Sequence, residues 1–429
     1  MENVAKEKYF VVAAEFSRIV VGAVFLFSGF VKAIDPLGFT YKIQDYLIAF
    51  QLTDLLPLAL SAAIAMVVVE FLIGLFLLLG IYRKLSSTFA TIFMAVFLPL
   101  TLWIALANPV EDCGCFGDAL VISNWATFYK NILLSACALF LLFHYRLLKP
   151  LFSKKVAKYA ALYSVLFAIA FAVYNVVRLP VVDFRPFKIG SDIPEFMTID
   201  PEKADVVENI FIYSKDGVEQ EFTEDDYPWN DSTWVYVDMR SRIVKKGEKP
   251  KIEDFHLTLY AYDSEEQAYF PEEDITDSIL NDPGYNFLMV SCFLDQMNGK
   301  HLKDFEQVSR FAKGNGIGFY LLTASSEEEM KRWSQQGGSD FTFVSADERM
   351  LKTMIRTNPG LVLLHNGKVI NKWDEYSVPD MHSKGIAELD KSSEQKTIVR
   401  VRLLIVMLLL LVPLLVLGFV WKRQKIYNK

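Results

Sequence analysis

Six apolar runs of membrane-spanning length limit what this chain can fold into. They lie at about 10–33, 57–80, 86–107, 126–147, 157–179 and 400–421. Each approaches or exceeds the roughly 20 residues that a helix needs to cross the hydrocarbon core. Between the fifth and sixth runs, residues 181–397 are polar, with acids outnumbering bases. The 429 residues are 52% hydrophobic yet 22% charged, which fits a chain segregated into a membrane part and a soluble part. The first run has a basic lead (Lys6, Lys8), but it is long, carries Glu15 and Arg18, and has no small-x-small cleavage site before Asp35. It reads as a retained helix rather than a signal peptide.

Basic residues set the expected orientation. Lys6 and Lys8 precede the first run, and Arg83 and Lys84 separate the second from the third. Arg146, Lys149, Lys154, Lys155 and Lys158 separate the fourth from the fifth, and Lys422, Arg423, Lys425 and Lys429 close the chain. If all six runs span, these clusters share one side, expected to be cytoplasmic; Arg400 and Arg402 count slightly against it. The expected location is a bacterial inner membrane with both termini cytoplasmic and residues 181–397 periplasmic, where disulfides persist. The expected partners are the lipid bilayer and periplasmic or envelope proteins with thiols or disulfides. An acidic outer domain excludes nucleic acid, which requires a basic footprint.

Three features of the membrane half carry chemistry. Lys32 and Asp35 stand at the outer end of the first run, before Pro36, which stops the helix. Lys32 reads either as a snorkelling interfacial lysine or as a cation that lowers a nearby thiol pKa. Glu70 falls mid-membrane, where an acid is costly and faces the bundle interior, as structural glue or as a proton-handling group. Glu15 and Arg18 are three apart and read as a packing pair. Cys137, among small residues in the fourth run, reads as a packing residue, with a third redox thiol as the alternative.

The loop Asp112-Cys113-Gly114-Cys115-Phe116-Gly117-Asp118 holds two of the four cysteines. Three chemistries suit it. Cys113 and Cys115 can form a redox pair, the glycines letting the sulfurs meet and the small ring making an exchangeable disulfide. Two thiolates with Asp112 or Asp118 can bind zinc or copper(I), although no histidine is near. Or the loop is structural. Asp112, Asp118 and Lys32 are the candidate tuning groups for the thiols.

Ser28-Gly29-Phe30-Val31-Lys32 through Asp35-Pro36, Glu70 and Gly74, and Asp112-Cys113-Gly114-Cys115-Phe116-Gly117 together resemble the DoxX/MauE family of redox-associated four-helix membrane proteins, over about residues 10–148. The resemblance implies support of disulfide formation through Cys113 and Cys115. Its architecture is similar to the quinone-linked thiol oxidases of the disulfide-bond protein B and vitamin K epoxide reductase groups. Those oxidases carry a second cysteine pair. Here only Cys137 and Cys292 remain, which argues against a complete relay and against a bound quinone, the cofactor the resemblance implies. No cofactor or metal is assigned.

In the outer domain, prolines at 180, 186, 194 and 201 mark 181–205 as an extended linker. A hairpin is expected around Lys215-Asp216-Gly217, and a strand over Trp234–Asp238. From 285, strands at 286–291, 318–323 and 341–345 alternate with helices at 302–313, 327–335 and 348–356. A hairpin around Asn366-Gly367 follows. This order, with Pro359 before the hairpin, resembles a thioredoxin-like domain, in which a cis proline lies beside the active thiols. The resemblance implies a Cys-x-x-Cys after the first strand; the sequence there is Cys292-Phe293-Leu294-Asp295. Cys292 reads as a small buried filler or as a single thiol able to form a mixed disulfide.

The expected fold is a membrane α-helical bundle, a four-helix DoxX/MauE-like core (1–148) plus two further transmembrane helices (149–180 and 400–429), with an inserted α/β thioredoxin-like soluble domain. Within the insert, 181–284 is linker and β-rich lead-in, 285–375 the thioredoxin-like domain and 376–399 a tether. The expected function is thiol–disulfide exchange, or support of disulfide formation, at Cys113 and Cys115. The alternative is a non-catalytic envelope scaffold whose degenerate thioredoxin-like domain binds partner proteins.

Overall fold

A computed structural model describes residues 2–110, 113–245, 247–336, 341–381 and 385–427. The apolar runs form helices α1 (Glu2–Ile34), α3 (Ala59–Leu79), α4 (Arg83–Ala107), α5 (Asn124–His144), α6 (Lys154–Val177) and α12 (Gln395–Tyr427). All six contain a stretch long and apolar enough to cross a membrane. An additional helix, α2 (Pro36–Ala49), follows α1 directly. Asp35 caps it, its Oδ1 accepting from the Gly38 amide at 2.9 Å, and Pro36 occupies the first turn. Pro36 therefore does more than stop the first helix. Proline has no amide to lose at a helix start, so Asp35-Pro36 is also a start signal.

Helices α1 and α3 run antiparallel in close contact because three glycines remove the side chains between them. A Cβ on Gly74 would lie 2.2 Å from the Leu26 amide nitrogen, and one on Gly29 would lie 2.4 Å from that of Phe71. Helices α4 and α5 pack on α1 through Phe25, Met94, Leu134 and Leu141. Helices α6 and α12 pack on the far side of α3 through Ala157, Ala160, Leu410 and Leu414.

At one end of the bundle the turns tie to each other: the Leu151 amide donates to Leu79 O at 3.2 Å, and Arg18 Nη1 to Lys149 O at 3.2 Å. Glu15 and Arg18 pair at 2.6 Å as expected from their spacing. The loop with Cys113 and Cys115, helix α2 and the whole of the sheet-rich region lie at the opposite end.

The sheet-rich region follows a short helix α7 (Ile193–Met197). A separate three-stranded sheet comprises β1 (Val206–Lys215), β2 (Val218–Phe222) and β3 (Val235–Lys245), ordered β2-β1-β3. The larger sheet uses β4 (Thr258–Asp263), β5 (Ala268–Asp274), β6 (Tyr285–Val290), β7 (Gly318–Thr323), β8 (Thr342–Ser345), β9 (Gly360–His365) and β10 (Lys368–Asp374). Its order is β10-β9-β6-β7-β8-β4-β5, with β6, β7 and β8 parallel. Helices α8 (Thr276–Leu280) and α11 (Glu348–Met354) cover one face, and α9 (Leu302–Gly314) and α10 (Glu327–Gln335) the other. Alternation along β6 feeds both cores: Leu288 and Val290 point to one, Phe287 and Met289 to the other.

Three segments differ from the sequence expectation. Strands β4 and β5, within the stretch read as lead-in, are hydrogen-bonded into the larger sheet through β8. The stretch read as an extended linker contains α7 and buries Phe187 and Ile193 in the core. The stretch read as a tether buries Met381 and Leu389, and Asn371 Nδ2 donates to Leu389 O at 2.6 Å. In each, isolated apolar residues fill gaps that only the assembled sheet creates, so local polarity misled.

Replacing Gly74 by Ala sets a methyl against backbone, which cannot yield, at a cost of about 1–3 kcal/mol. At Gly22 the nearest atoms belong to the Leu78 side chain, which can turn away. Thermal unfolding in detergent should show a clearly lower midpoint for Gly74→Ala than for Gly22→Ala; equal midpoints contradict the backbone-contact account.

Candidate functional site

The cysteine loop is seated in the bundle end rather than lying free on it. Helix α4 closes at Asn108 with a left-handed cap, and the chain turns back through Gly114 and Gly117, both with positive φ. Gly117 N donates to Gly114 O at 3.2 Å. Lys42 of α2 crosses directly over Gly114, where a Cβ would lie 3.1 Å from Lys42 Cγ. Ser28 of α1 donates to the Cys115 carbonyl, and Tyr46 of α2 donates to the Cys113 carbonyl at 3.0 Å. Phe116 packs on Phe27 and carries the Lys130 ammonium 4.3 Å from its ring centre. Cys113 and Cys115 are only 7% and 9% exposed.

The two thiols are free and meet different surroundings. The Cys115 amide donates to Cys113 Sγ at 3.3 Å, and Thr127 Oγ1 lies 3.5 Å from the same sulfur. The hydrogen bond from the Cys115 thiol, foremost, draws Cys113 down to about 6 despite burial, helped by Thr127, the Cys115 amide and the Lys130 charge. Cys115, which donates that bond and is buried, is held well above the usual thiol value against the pull of Lys130 and Lys32. The shared hydrogen bond thus lowers one thiol and raises its neighbour.

Lys32 does not snorkel. It is 3% exposed and its Nζ lies 2.8 Å from Glu70 Oε2 on α3, so the two charged residues that the sequence left separate form one buried ion pair. The ammonium also lies 4.8 Å from the Phe39 ring centre. A cavity of about 30 Å³ adjoins the pair, lined by Ser28, Lys32, Glu70, Cys115, Lys130, Asn131 and apolar side chains. Cys137 packs in the α1–α4–α5 core with Leu134 and Ala138, apart from the cluster that holds Cys113 and Cys115. Asp112 lies outside the described residues. Among the described residues, no group of three or more His, Cys, Asp or Glu side chains is placed to hold a metal ion.

Asp118 faces away from the sulfurs. Its Oδ2 lies 3.5 Å from Arg356 Nη2, and Arg356 also grips Asp35 with both oxygens, at 3.0 and 2.8 Å. Burial pushes the Asp35 carboxyl up, but Arg356 and then Arg185 overcome this and hold it below its ordinary value. Burial likewise acts first on Asp118 and leaves it raised. Tyr41 lies under this contact, with Arg356 and Lys352 over its ring at 5.2 and 4.7 Å. Arg356, Tyr41, Tyr46 and Lys42 are not singled out by sequence; Asp35-Pro36, read there only as a stop, is the helix-start signal for the element that carries three of them.

Cys292 follows β6 and lies near Glu348 and Lys352. Burial, foremost, pushes its thiol up to about 11, the Lys352 charge notwithstanding. The Asn358–Pro359 peptide is cis. Asn358 fixes the Cys292 loop, accepting from Ser291 Oγ at 2.7 Å and donating to Phe293 O at 3.1 Å.

Comparison with known proteins adds to this geometry. Residues 10–144 match the family model of methylamine utilisation protein MauE. The matched stretch holds helices α1 to α5, the cysteine loop and the Lys32–Glu70 pair, and the match together with the apolar helices supports a membrane protein. Residues 207–246, which contain nearly all of β1 to β3, match a domain of unknown function (DUF8463). No curated protein and no solved structure matches the chain.

The thiol asymmetry has a direct readout. Alkylation of Cys113 by iodoacetamide, followed by peptide mass spectrometry, should rise with pH through about 6 and level off above it. Cys115→Ala removes the donor thiol and should move that midpoint up toward the ordinary cysteine value of about 8.5. An unmoved midpoint contradicts the shared hydrogen bond.

Proposed function

We propose that the MauE domain carries out thiol–disulfide exchange at Cys113 and Cys115. The observation that carries this reading is the juxtaposition of two free, buried thiols in one loop, with the Cys115 amide donating to Cys113 Sγ. In the reducing direction, the Cys113 thiolate attacks a partner disulfide, whose S–S bond breaks and releases one partner thiolate. Cys115 then loses its proton and attacks Cys113, so the mixed disulfide breaks and the second partner thiolate leaves. The partner gains two electrons and the Cys113–Cys115 pair loses two. The reverse sequence oxidises a partner dithiol.

The cover over Gly114 means that a partner reaches the sulfurs by displacing α2. The basic clusters at the opposite bundle end support a periplasmic site in a bacterial inner membrane. In this reading the partners are envelope proteins with accessible thiols or disulfides.

The parallel strands, the crossover helices and the position of Pro359 support a thioredoxin-like identity for the sheet-rich region. Its raised Cys292 thiol supports a holding role there rather than a redox one. Arg356 fixes this region on α2 and Asp118, so it covers the redox loop and can present partners to it.

Cys115→Ser, expressed in cells and acid-quenched, should accumulate mixed disulfides visible on non-reducing gels. Adding Cys113→Ser should abolish them, and adding Cys292→Ser should leave them. Adducts that persist without Cys113, or that vanish without Cys292, would overturn the assignment.

A further inference from the structure

When Cys115 attacks the mixed disulfide, it must release a proton into the bundle. The two cysteines have different further neighbours: Cys113 lies beside Thr127, whereas Cys115 lines the small cavity with Lys32 and Glu70. Ser28 and Asn131 are among its polar lining residues, and its volume of about 30 Å³ has room for one or two waters. The charged or titratable groups facing it are Lys32 from α1, Glu70 from α3, Lys130 from α5 and Cys115 from the loop, while α4 contributes only Phe93, Met94 and Phe97. Glu70 is the only carboxylate among them.

Contact between α1 and α3 does not by itself call for an ion pair. Gly22, Gly29 and Gly74 already bring α1 and α3 into contact, and an apolar pair would hold two helices without the cost of desolvating two charges. An acid fixed beside a cavity that also touches a thiol has a use that packing does not require.

We propose that Glu70 is the proton acceptor for Cys115, through water in this cavity, with Lys32 as the positioning residue that holds the Glu70 carboxyl in place. This deepens the exchange reading and rests on it. As Cys115 attacks, its S–H bond breaks, the proton passes to the Glu70 carboxylate, and a bond forms between Cys115 and Cys113. The partner thiolate leaves with the electron pair of the broken disulfide. Glu70 then returns the proton to that thiolate or to solvent. The Lys130 and Lys32 charges act on Cys115 in the direction that favours its transient thiolate. In the oxidising direction the proton runs from Glu70 back to Cys115.

The test uses the full chain with Cys137→Ala and Cys292→Ala, in detergent, mixed with the small neutral disulfide 4,4′-dithiodipyridine. Attack by Cys113 releases a first thiopyridone, and attack by Cys115 on the mixed disulfide releases a second. Glu70→Gln should leave the first phase unchanged and slow the second about a hundredfold, the scale of a lost general base. Lys32→Gln with Glu70→Gln leaves no orphaned charge and should show the same split, which decides the matter if Glu70→Gln alone fails to fold. Unchanged phases, or equal slowing of both, in the double variant overturn the proton-acceptor role while the exchange reading stands. Failure of the parent protein to release a second thiopyridone overturns the exchange reading itself.

Discussion

An ammonium and a carboxylate removed from water cannot be left apart, and that constraint organises the bundle end. Lys32 and Glu70 meet at 2.8 Å with almost no exposure. Breaking such a pair by removing one partner costs about 3–5 kcal/mol, because the remaining charge is stranded. The pair therefore locks the rotation of α1 against α3. Ser28 lies one helical turn before Lys32 on the same face, so the same rotation aims its hydroxyl at the Cys115 carbonyl. The seat of the thiol loop follows from where the charges must meet.

A second set of buried charges joins the sheet-rich region to the membrane domain. Arg356 binds Asp35 in bidentate fashion, and Asp183 joins Arg185 and Lys372 nearby at 2.8 and 2.9 Å. Arginine suits this place because its planar fork satisfies two carboxylate oxygens at once and stacks on Tyr41. Helix α2 is held between the two parts: Tyr46 and Lys42 face the thiol loop, and Tyr41 faces Arg356. Access to the thiols and attachment of the sheet-rich region thus involve one short helix.

What the sequence reveals is what is local. Six apolar runs, the paired cysteines, the Asn366-Gly367 turn and the strand–helix alternation from 285 each follow from residues close in the chain, and the structure places helices and strands there. Long-range pairing is not local. Lys32 and Glu70 are 38 residues apart, and Arg356 and Asp35 are 321 apart. Nothing around Lys32 distinguishes an interfacial lysine from a buried one until α3 supplies its acid. Helix α2 was concealed by the dual role of proline, and the attachment of β4 and β5 by strand pairing that only β8 defines. The asymmetry of Cys113 and Cys115 comes first from their own hydrogen bond and then from burial and Thr127, which other helices contribute.

The central claim is that Cys113 and Cys115 interconvert between dithiol and disulfide as one unit. Equilibrating the full chain, with Cys137 and Cys292 replaced by alanine, against a series of glutathione redox buffers and weighing the acid-quenched protein tests this directly. The account predicts a two-electron transition in which the protein loses two hydrogen atoms, with no lasting glutathione adduct. Two thiols that stay reduced across the series, or that take up glutathione independently, would contradict it.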